Sequence, residues 1–130
     1  MSDDAAQLIL FQVATSVFAT AVRDVVRIGT VREMPAGELV LDSALGTPYS
    51  RERGIVVTLD GAERTLVVDR VLGTRSVPAH AVQPLPAFAA ACIRSGALAG
   101  LVLVDDVPMP LVDIPILVRE RVGRAAPPPP

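Results

Sequence analysis

Side chains that could carry acid–base or nucleophilic chemistry are few in this chain, and they lie far apart in the sequence. The chain has one histidine, His80, and one cysteine, Cys92. Neither a nucleophile nor an acidic residue lies directly beside His80, so the sequence indicates no residue pair for nucleophilic catalysis. Four aspartates occur where strands, turns or a helix are expected to begin or end, namely Asp69, Asp105, Asp106 and Asp113. Aspartate is common at such positions for local hydrogen bonding, so we predict no catalytic residues and no enzymatic activity.

Metal and cofactor sites are not indicated either. A metal site needs several histidine, cysteine or clustered carboxylate ligands, and one histidine with one cysteine does not supply them. Phosphate-binding loops are rich in glycine, whereas glycines such as Gly61 and Gly73 occur singly here. A lone Cys92 excludes an intramolecular disulfide and is expected to be a small buried hydrophobic residue. We therefore predict no metal and no cofactor.

The charge and aromatic content argue against a nucleic-acid partner. Twelve basic and fourteen acidic residues give a formal net charge of -2, and the isoelectric point is near 5.3. A broad phosphate-binding surface needs the opposite sign. With three Phe, one Tyr and no Trp, the chain also lacks a platform for stacking bases.

The uncharged stretch from Ala5 to Val22 could be mistaken for a signal peptide or a membrane helix. Asp3 and Asp4 precede it, where a signal peptide carries positive charge. Polar residues within it lower its hydropathy, and two strands fit the pattern better. We predict no membrane insertion and a cytoplasmic location.

The stretch from Arg53 to Pro78 is expected to form the centre of the fold. Two β-branched apolar runs, Ile55–Leu59 and Thr65–Val68, flank Asp60-Gly61, residue types that tolerate a positive φ. This pattern predicts a hairpin, and the nearly continuous apolar character predicts burial on both faces. A more polar strand then runs to Pro78, because proline cannot donate to a strand ladder.

Two further hairpins are predicted on the same grounds. The first joins Leu8–Val13 to Val17–Val22 through a Thr15-Ser16 turn, and the other joins Leu98–Val104 to Val107–Val112. Shorter elements are a strand or helical turn in Glu38–Leu45, a one-turn helix in Pro78–Val82, a helix in Ala87–Arg94 and a closing helix. The closing helix should start at Ile114 with Asp113 as its N-cap and end at Gly123. The pattern predicts a mainly β fold, either a small barrel or a pair of barrels, with a sandwich as the alternative.

Residues 23–34 alternate loosely between apolar and polar side chains and predict a third strand. Its two faces would carry Val26 and Ile28 on one side, and Val25, Arg27, Val31 and Glu33 on the other. The second group is our candidate protein-binding site. The alternative is an ordinary solvated strand face, since exposed apolar residues indicate binding only where they form a contiguous patch.

The order of short motifs resembles the CheW-like domain of bacterial chemosensory systems. In the second half, Leu66-Val67-Val68-Asp69-Arg70-Val71-Leu72-Gly73 resembles the family's apolar strand with its VD-x-V segment. Val82-Gln83-Pro84-Leu85-Pro86 is similar to its I-x-P-x-P stretch, and Met109-Pro110-Leu111-Val112-Asp113-Ile114 is similar to the start of its closing helix. In the first half, Leu8-Ile9-Leu10-Phe11 resembles the opening L-x-F strand, and Leu45-Gly46 the L-G that ends that half.

This resemblance implies two five-stranded barrels around a shared core, in a non-enzymatic adaptor. The implied partners are a CheA-type histidine kinase regulatory domain and chemoreceptor signalling tips, with self-association or a different partner or small ligand as the alternative. Two departures are visible in the sequence. The first subdomain is abbreviated, because only Ala36–Ala44 occupies the space of about two strands, and Arg27 stands where the family usually carries a glutamate.

The domain organisation follows from these patterns. Residues 1–6 are expected to form a frayed N-terminus, residues 7–123 the CheW-like domain, and residues 124–130 a disordered proline-rich tail.

Overall fold

The computed structural model describes residues 5–33, 38–40, 45–85 and 95–125. Its strands are β1 (Ala5–Val13), β2 (Ser16–Ala21), β3 (Arg27–Thr30), β4 (Glu38–Val40), β5 (Arg53–Leu59), β6 (Ala62–Val68), β7 (Arg70–Pro78), β8 (Val82–Gln83), β9 (Leu98–Val104) and β10 (Val107–Val112). Within these ranges, three short 3-10 helices span Val22–Asp24, Val31–Glu33 and Ala79–Ala81, and the α-helix α1 spans Ile114–Ala125. The prediction of a mainly β chain with a closing helix is confirmed.

The described strands form two sheets. A six-stranded sheet has the order β7-β1-β2-β10-β9-β8, and a four-stranded sheet has the order β3-β5-β6-β4. The family resemblance implies five strands in each barrel, and the described strands divide into six and four. This division arises because β7 follows β6 in the chain but pairs with β1, and β10 pairs with β2 in parallel.

The six-stranded sheet curves so that its two edges approach each other. Only the three-residue helix Ala79–Ala81 joins the edge strands β7 and β8. The four Cα–Cα steps from Pro78 to Val82 span at most about 14 Å. Arg75 on β7 also contacts Asp105 in the β9–β10 turn, with Nη1 and Oδ2 3.0 Å apart. These constraints bend the sheet into a partly closed barrel.

The hairpin turns form where the residue types permit a positive φ. Asp60 and Gly61 have φ values of 51° and 81°, and Asp105 and Asp106 have values of 50° and 64°. Two central residues with positive φ match the right-handed twist of the flanking strands. The prediction of the opening hairpin's turn at Thr15-Ser16 is wrong. Ala14 adopts the left-handed conformation, with a φ of 54°, and Ser16 already belongs to β2.

Two clusters of buried side chains form the core of the described part of the chain. The larger includes Phe11, Ile55, Leu66 and Ile114 and joins both sheets to α1, while the smaller, which includes Leu8, lies within the six-stranded sheet. Strand β1 contributes to both clusters because successive side chains point to opposite faces. The central hairpin is likewise buried on both faces over part of its length, as the sequence predicts.

Three predicted boundaries need correction. Ala5 and Ala6 are not frayed, because their backbones pair with Pro78 and Val77 of β7. The closing helix does not end at Gly123 but continues to Ala125, since Gly123 does not adopt the positive φ through which glycine ends a helix. The helix predicted for Ala87–Arg94 lies outside the described residues, as do Cys92 and the last five residues of the proline-rich tail.

Candidate protein-binding surface

The surface predicted to bind protein lies at an edge of the four-stranded sheet. Strand β3 pairs on one side with β5, in the register Arg27↔Val56 to Thr30↔Arg53. Beyond the strand, the backbone N–H of Val31 still donates to the carbonyl oxygen of Glu52 at 2.8 Å. On its other side, β3 pairs with no described strand.

The prediction that four residues project from one face of this strand is wrong in its geometry. Of the four, only Arg27 lies within β3. Val25 precedes the strand and packs, half-buried, against the larger core cluster. Val31 and Glu33 lie in the following 3-10 helix. Such a helix has three residues per turn, so its side chains do not alternate between two faces as they do along a strand.

Arg27 makes a paired contact with Glu63 of β6. Nη2 lies 2.8 Å from Oε1, and Nη1 donates to Oε2 at 2.9 Å. Val56 of β5 lies opposite Arg27 in the register and is fully buried, so the arginine side chain reaches over an apolar strand. Hydrogen bonding to Arg27 lowers the pKa of Glu63 and raises that of Arg27. The positive charge that departs from the family pattern is therefore balanced within the chain.

Sequence reasoning missed Glu63 because the contact depends on strand order. Arg27 and Glu63 are 36 residues apart and lie on strands separated by β5. The available signal was a pair of unlike charges at exposed positions on predicted strands, but many such pairs exist in this sequence. The exposed apolar residues Val26 and Ile28, 49% and 39% exposed, were assigned to the face opposite the predicted site.

A charged cleft lies beside the end of β3. It has a volume of about 490 Å³ and is lined by Thr30, Val31, Arg32, Glu33, Arg51, Glu52 and Arg53. Two of the four predicted site residues, Val31 and Glu33, line this cleft. Arg27 is not part of its lining, so the predicted site is divided between an ion pair and a cleft.

Asp69, in the VD-x-V segment, has a structural role. Its Oδ2 accepts a hydrogen bond from the Ala14 backbone N–H at 2.5 Å, and its Oδ1 accepts one from the Ser50 N–H at 2.5 Å. The same residue donates its own N–H to the Gln12 carbonyl oxygen at 2.9 Å. One half-buried carboxylate thus holds the β1–β2 turn and the connector before β5 in place.

His80 and Asp69 do not meet in one site. His80 is exposed in the helix Ala79–Ala81. This helix follows Pro78, which pairs with Ala5 at one end of β1. Asp69 binds Ala14, just beyond the other end of β1. A nine-residue strand separates these ends by about 27 Å. Asp113 accepts a hydrogen bond from the Ile116 N–H at 3.0 Å, which confirms its predicted role as the N-cap of α1.

The described residues include neither a cluster of metal ligands nor a membrane-spanning helix. No group of three or more His, Cys, Asp or Glu side chains in that part of the chain is placed to hold a metal ion. Among the described helices, none has the length and apolar character needed to cross a membrane.

The overall fold is similar to that of a protein of known structure. The scaffolding protein TtCheW from Thermoanaerobacter tengcongensis is similar over 82% of this chain and 88% of its own, with a TM-score of 0.61 and 16% sequence identity. The fold is CheW-like. No family model matches the sequence, and no curated protein matches it. The predicted fold class is thereby confirmed, and at this level of identity the similarity concerns the fold alone.

Proposed function

We propose that this protein is a non-enzymatic CheW-like adaptor or regulator in a bacterial chemosensory pathway. Its proposed partners are the regulatory domain of a CheA-type histidine kinase, chemoreceptor signalling tips, or both, in the cytoplasm and in association with receptor arrays. The observation that carries the proposal is the CheW-like arrangement of both sheets and the closing helix across most of the chain. The similar structure is that of a scaffolding protein.

The proposed contact surface comprises Val25, Arg27, Val31 and Glu33 at the β3 edge. Its accessible parts differ in character: Arg27 and Glu33 are exposed, whereas Val25 and Val31 are half-buried. Because Arg27 is bonded to Glu63, a partner would meet an ion pair and not an isolated positive charge. Such a surface favours partners that present both a donor and an acceptor.

The test is binding of the purified full chain to kinase regulatory domains and receptor tips from the same genome, measured by calorimetry. Arg27→Glu alone disturbs both the fold and the surface, because it places two carboxylates together. The double variant Arg27→Glu/Glu63→Arg restores an ion pair with the charges exchanged. Arg119→Glu, which breaks the exposed ion pair with Asp60, is the control for an ion pair lost elsewhere, on α1. Loss of binding in the double variant but not in the control supports contact at this site. Wild-type protein that binds neither partner would refute the adaptor role.

A second candidate role is that of an accessory CheW-like protein that self-associates or binds a different partner or a small ligand. The observation that favours it is the cleft of about 490 Å³ beside the edge of β3 with which no described strand pairs. Three arginines and two glutamates line this cleft, so polar or charged ligands suit it better than apolar ones. Measurement of molecular mass against concentration separates self-association from ligand binding.

A further inference from the structure

A second cleft opens at one end of the partly closed barrel that the six-stranded sheet forms. We call it the barrel-mouth cleft. It has a volume of about 330 Å³ and is lined by Ala5, Ala6, Gln7, Leu8, Ala21, Arg23, Val82 and Leu111. This volume is at the lower end of the range for clefts that bind small molecules, and the mouth of a β-barrel is a common place for such clefts.

The floor of the barrel-mouth cleft is apolar and continuous with the smaller core cluster. Leu8 belongs to that cluster and is 2% exposed. Ala6, Val82 and Leu111 pack against the same cluster. Ala21 lies directly opposite Leu8 in the register of β1 and β2, so its side chain is on the same face of the sheet. An apolar group that enters the cleft therefore leaves water for an apolar environment.

Small side chains leave this end of the barrel unfilled. Three of the eight lining residues are alanines, namely Ala5, Ala6 and Ala21. The interior of a small barrel is normally filled by side chains. Apolar cavities that lack such filling take up small apolar molecules. The cleft therefore suits the apolar part of a small ligand.

Arg23 places a positive charge at the rim of this apolar cleft. Its side chain is exposed and makes no hydrogen bond or ion pair with any described residue. The neighbouring Asp24 does not line the cleft. Gln7, the other polar lining residue, already donates from Nε2 to the Ser76 Oγ at 3.0 Å. Because a guanidinium matches the geometry of a carboxylate, Arg23 provides an anchor for an anionic head group.

We propose that the barrel-mouth cleft binds a small carboxylate with a short apolar chain. The carboxylate contacts Arg23, and the chain lies against Leu8, Val82 and Leu111. Affinity then rises with the apolar area that the chain buries, and Arg23 selects a carboxylate over an uncharged or cationic head group. This cleft shares no lining residue with the charged cleft beside β3. The proposal does not depend on the adaptor role.

The first experiment titrates the full chain with butanoate, hexanoate and octanoate and follows the amide signals by two-dimensional NMR. Each buried methylene should raise the affinity about fourfold until the cleft is full. The amides of Ala6, Ala21 and Leu111 should shift on binding. If none of the three carboxylates binds, or if these amides do not shift when one does, the proposal is wrong.

Head-group analogues of one chain length test the role of charge. Hexanol should bind more weakly than hexanoate, and hexylamine more weakly still, because Arg23 attracts only the anion. Equal affinities for hexanoate and hexylamine would overturn the proposal.

Arg23→Gln removes the charge at the rim. This variant should bind hexanoate about three- to tenfold more weakly and hexanol as well as wild type does. Arg32→Gln is the matched control, since Arg32 is also exposed but lines the charged cleft beside β3. Its affinity for both compounds should be unchanged. Loss of hexanoate binding in Arg32→Gln but not in Arg23→Gln would place the ligand in the other cleft.

Ala21→Leu fills the barrel-mouth cleft. The added side chain enters existing space, so the urea midpoint should change little while hexanoate and hexanol both cease to bind. Ala99→Leu, at an exposed alanine of β9 outside the lining, should bind both compounds normally. Ala6→Val, a smaller enlargement, makes the same test if Ala21→Leu does not fold. Wild-type affinity in a folded variant with the cleft filled would show that the ligand binds elsewhere.

Discussion

Arg27 and Glu63 form a two-point ion pair across the buried strand β5, with contacts of 2.8 and 2.9 Å. This relationship predicts that the two positions behave as a unit. Arg27→Glu should lower the urea midpoint of unfolding, because two carboxylates then face each other over Val56. The exchanged double variant should return close to the wild-type midpoint. Equal midpoints for the single and double variants would show that the pair contributes no coupling energy.

The same pair predicts a pH dependence of stability. The pKa of Glu63 is lowered in the folded state by its hydrogen bond to Arg27. The stabilisation is therefore present above the ordinary glutamate pKa and is lost as the pH falls through the lowered folded value. Glu63→Gln should weaken this acid dependence in urea titrations at a series of pH values. A matched substitution, Glu52→Gln, alters an exposed glutamate without a described ion pair and should leave the profile unchanged.

Asp24 should have the opposite pH dependence. Burial, together with the negative charge of Asp113, raises its pKa above the ordinary value, and Arg23 partly offsets this. Since the folded state then holds a proton more tightly than the unfolded state, stability falls as the pH rises from the unfolded pKa through the raised folded one. Asp24→Asn should therefore increase stability at neutral pH, and this gain should vanish in acid. A variant less stable than wild type at neutral pH would contradict the prediction.

Asp69→Ala should destabilise the fold by about 2–4 kcal/mol, because two backbone donors lose a charged acceptor. The donors are the N–H groups of Ala14 and Ser50. Asp69→Asn should have a smaller effect, since its single carbonyl oxygen can still accept one of the bonds. Urea denaturation measures both, with Glu52→Ala as the exposed acidic control. If Asp69→Ala lowers the free energy of unfolding no more than Glu52→Ala does, Asp69 does not hold the two segments in place.

Gly100→Ala tests the close approach of β8 and β9. A Cβ at Gly100 would clash with the Gln83 carbonyl oxygen, a backbone atom that cannot move independently of its strand. We expect a loss of about 1–3 kcal/mol, as for overpacking in a core. At Gly96 the nearest atoms would lie 3.9 Å from the added Cβ, so Gly96→Ala should have a small effect. Similar urea midpoints for the two variants would contradict the strand contact.

The local elements follow from residue type, whereas the candidate site does not. Asp60-Gly61 and the β-branched runs beside it predicted the central hairpin, because turn conformation and strand propensity depend on neighbouring residues. Asp113 likewise predicted its helix cap. For residues 23–34, alternation predicted one continuous strand, but the structure ends that strand in 3-10 helices on both sides. Short helices of this kind leave little trace in a hydrophobic pattern.

By itself, the sequence determined most of the segments that become strands, where two of the three hairpins turn, where the closing helix begins and which residues are buried in the central hairpin. These features arise from interactions between residues close in the chain or from the apolar character of single side chains. Only the tertiary structure decided that Glu63 neutralises Arg27, that Asp69 joins the β1–β2 turn to the connector before β5, and that β3 lies at the edge of the described four-stranded sheet. Each of these depends on strand order and register, which bring together residues tens of positions apart.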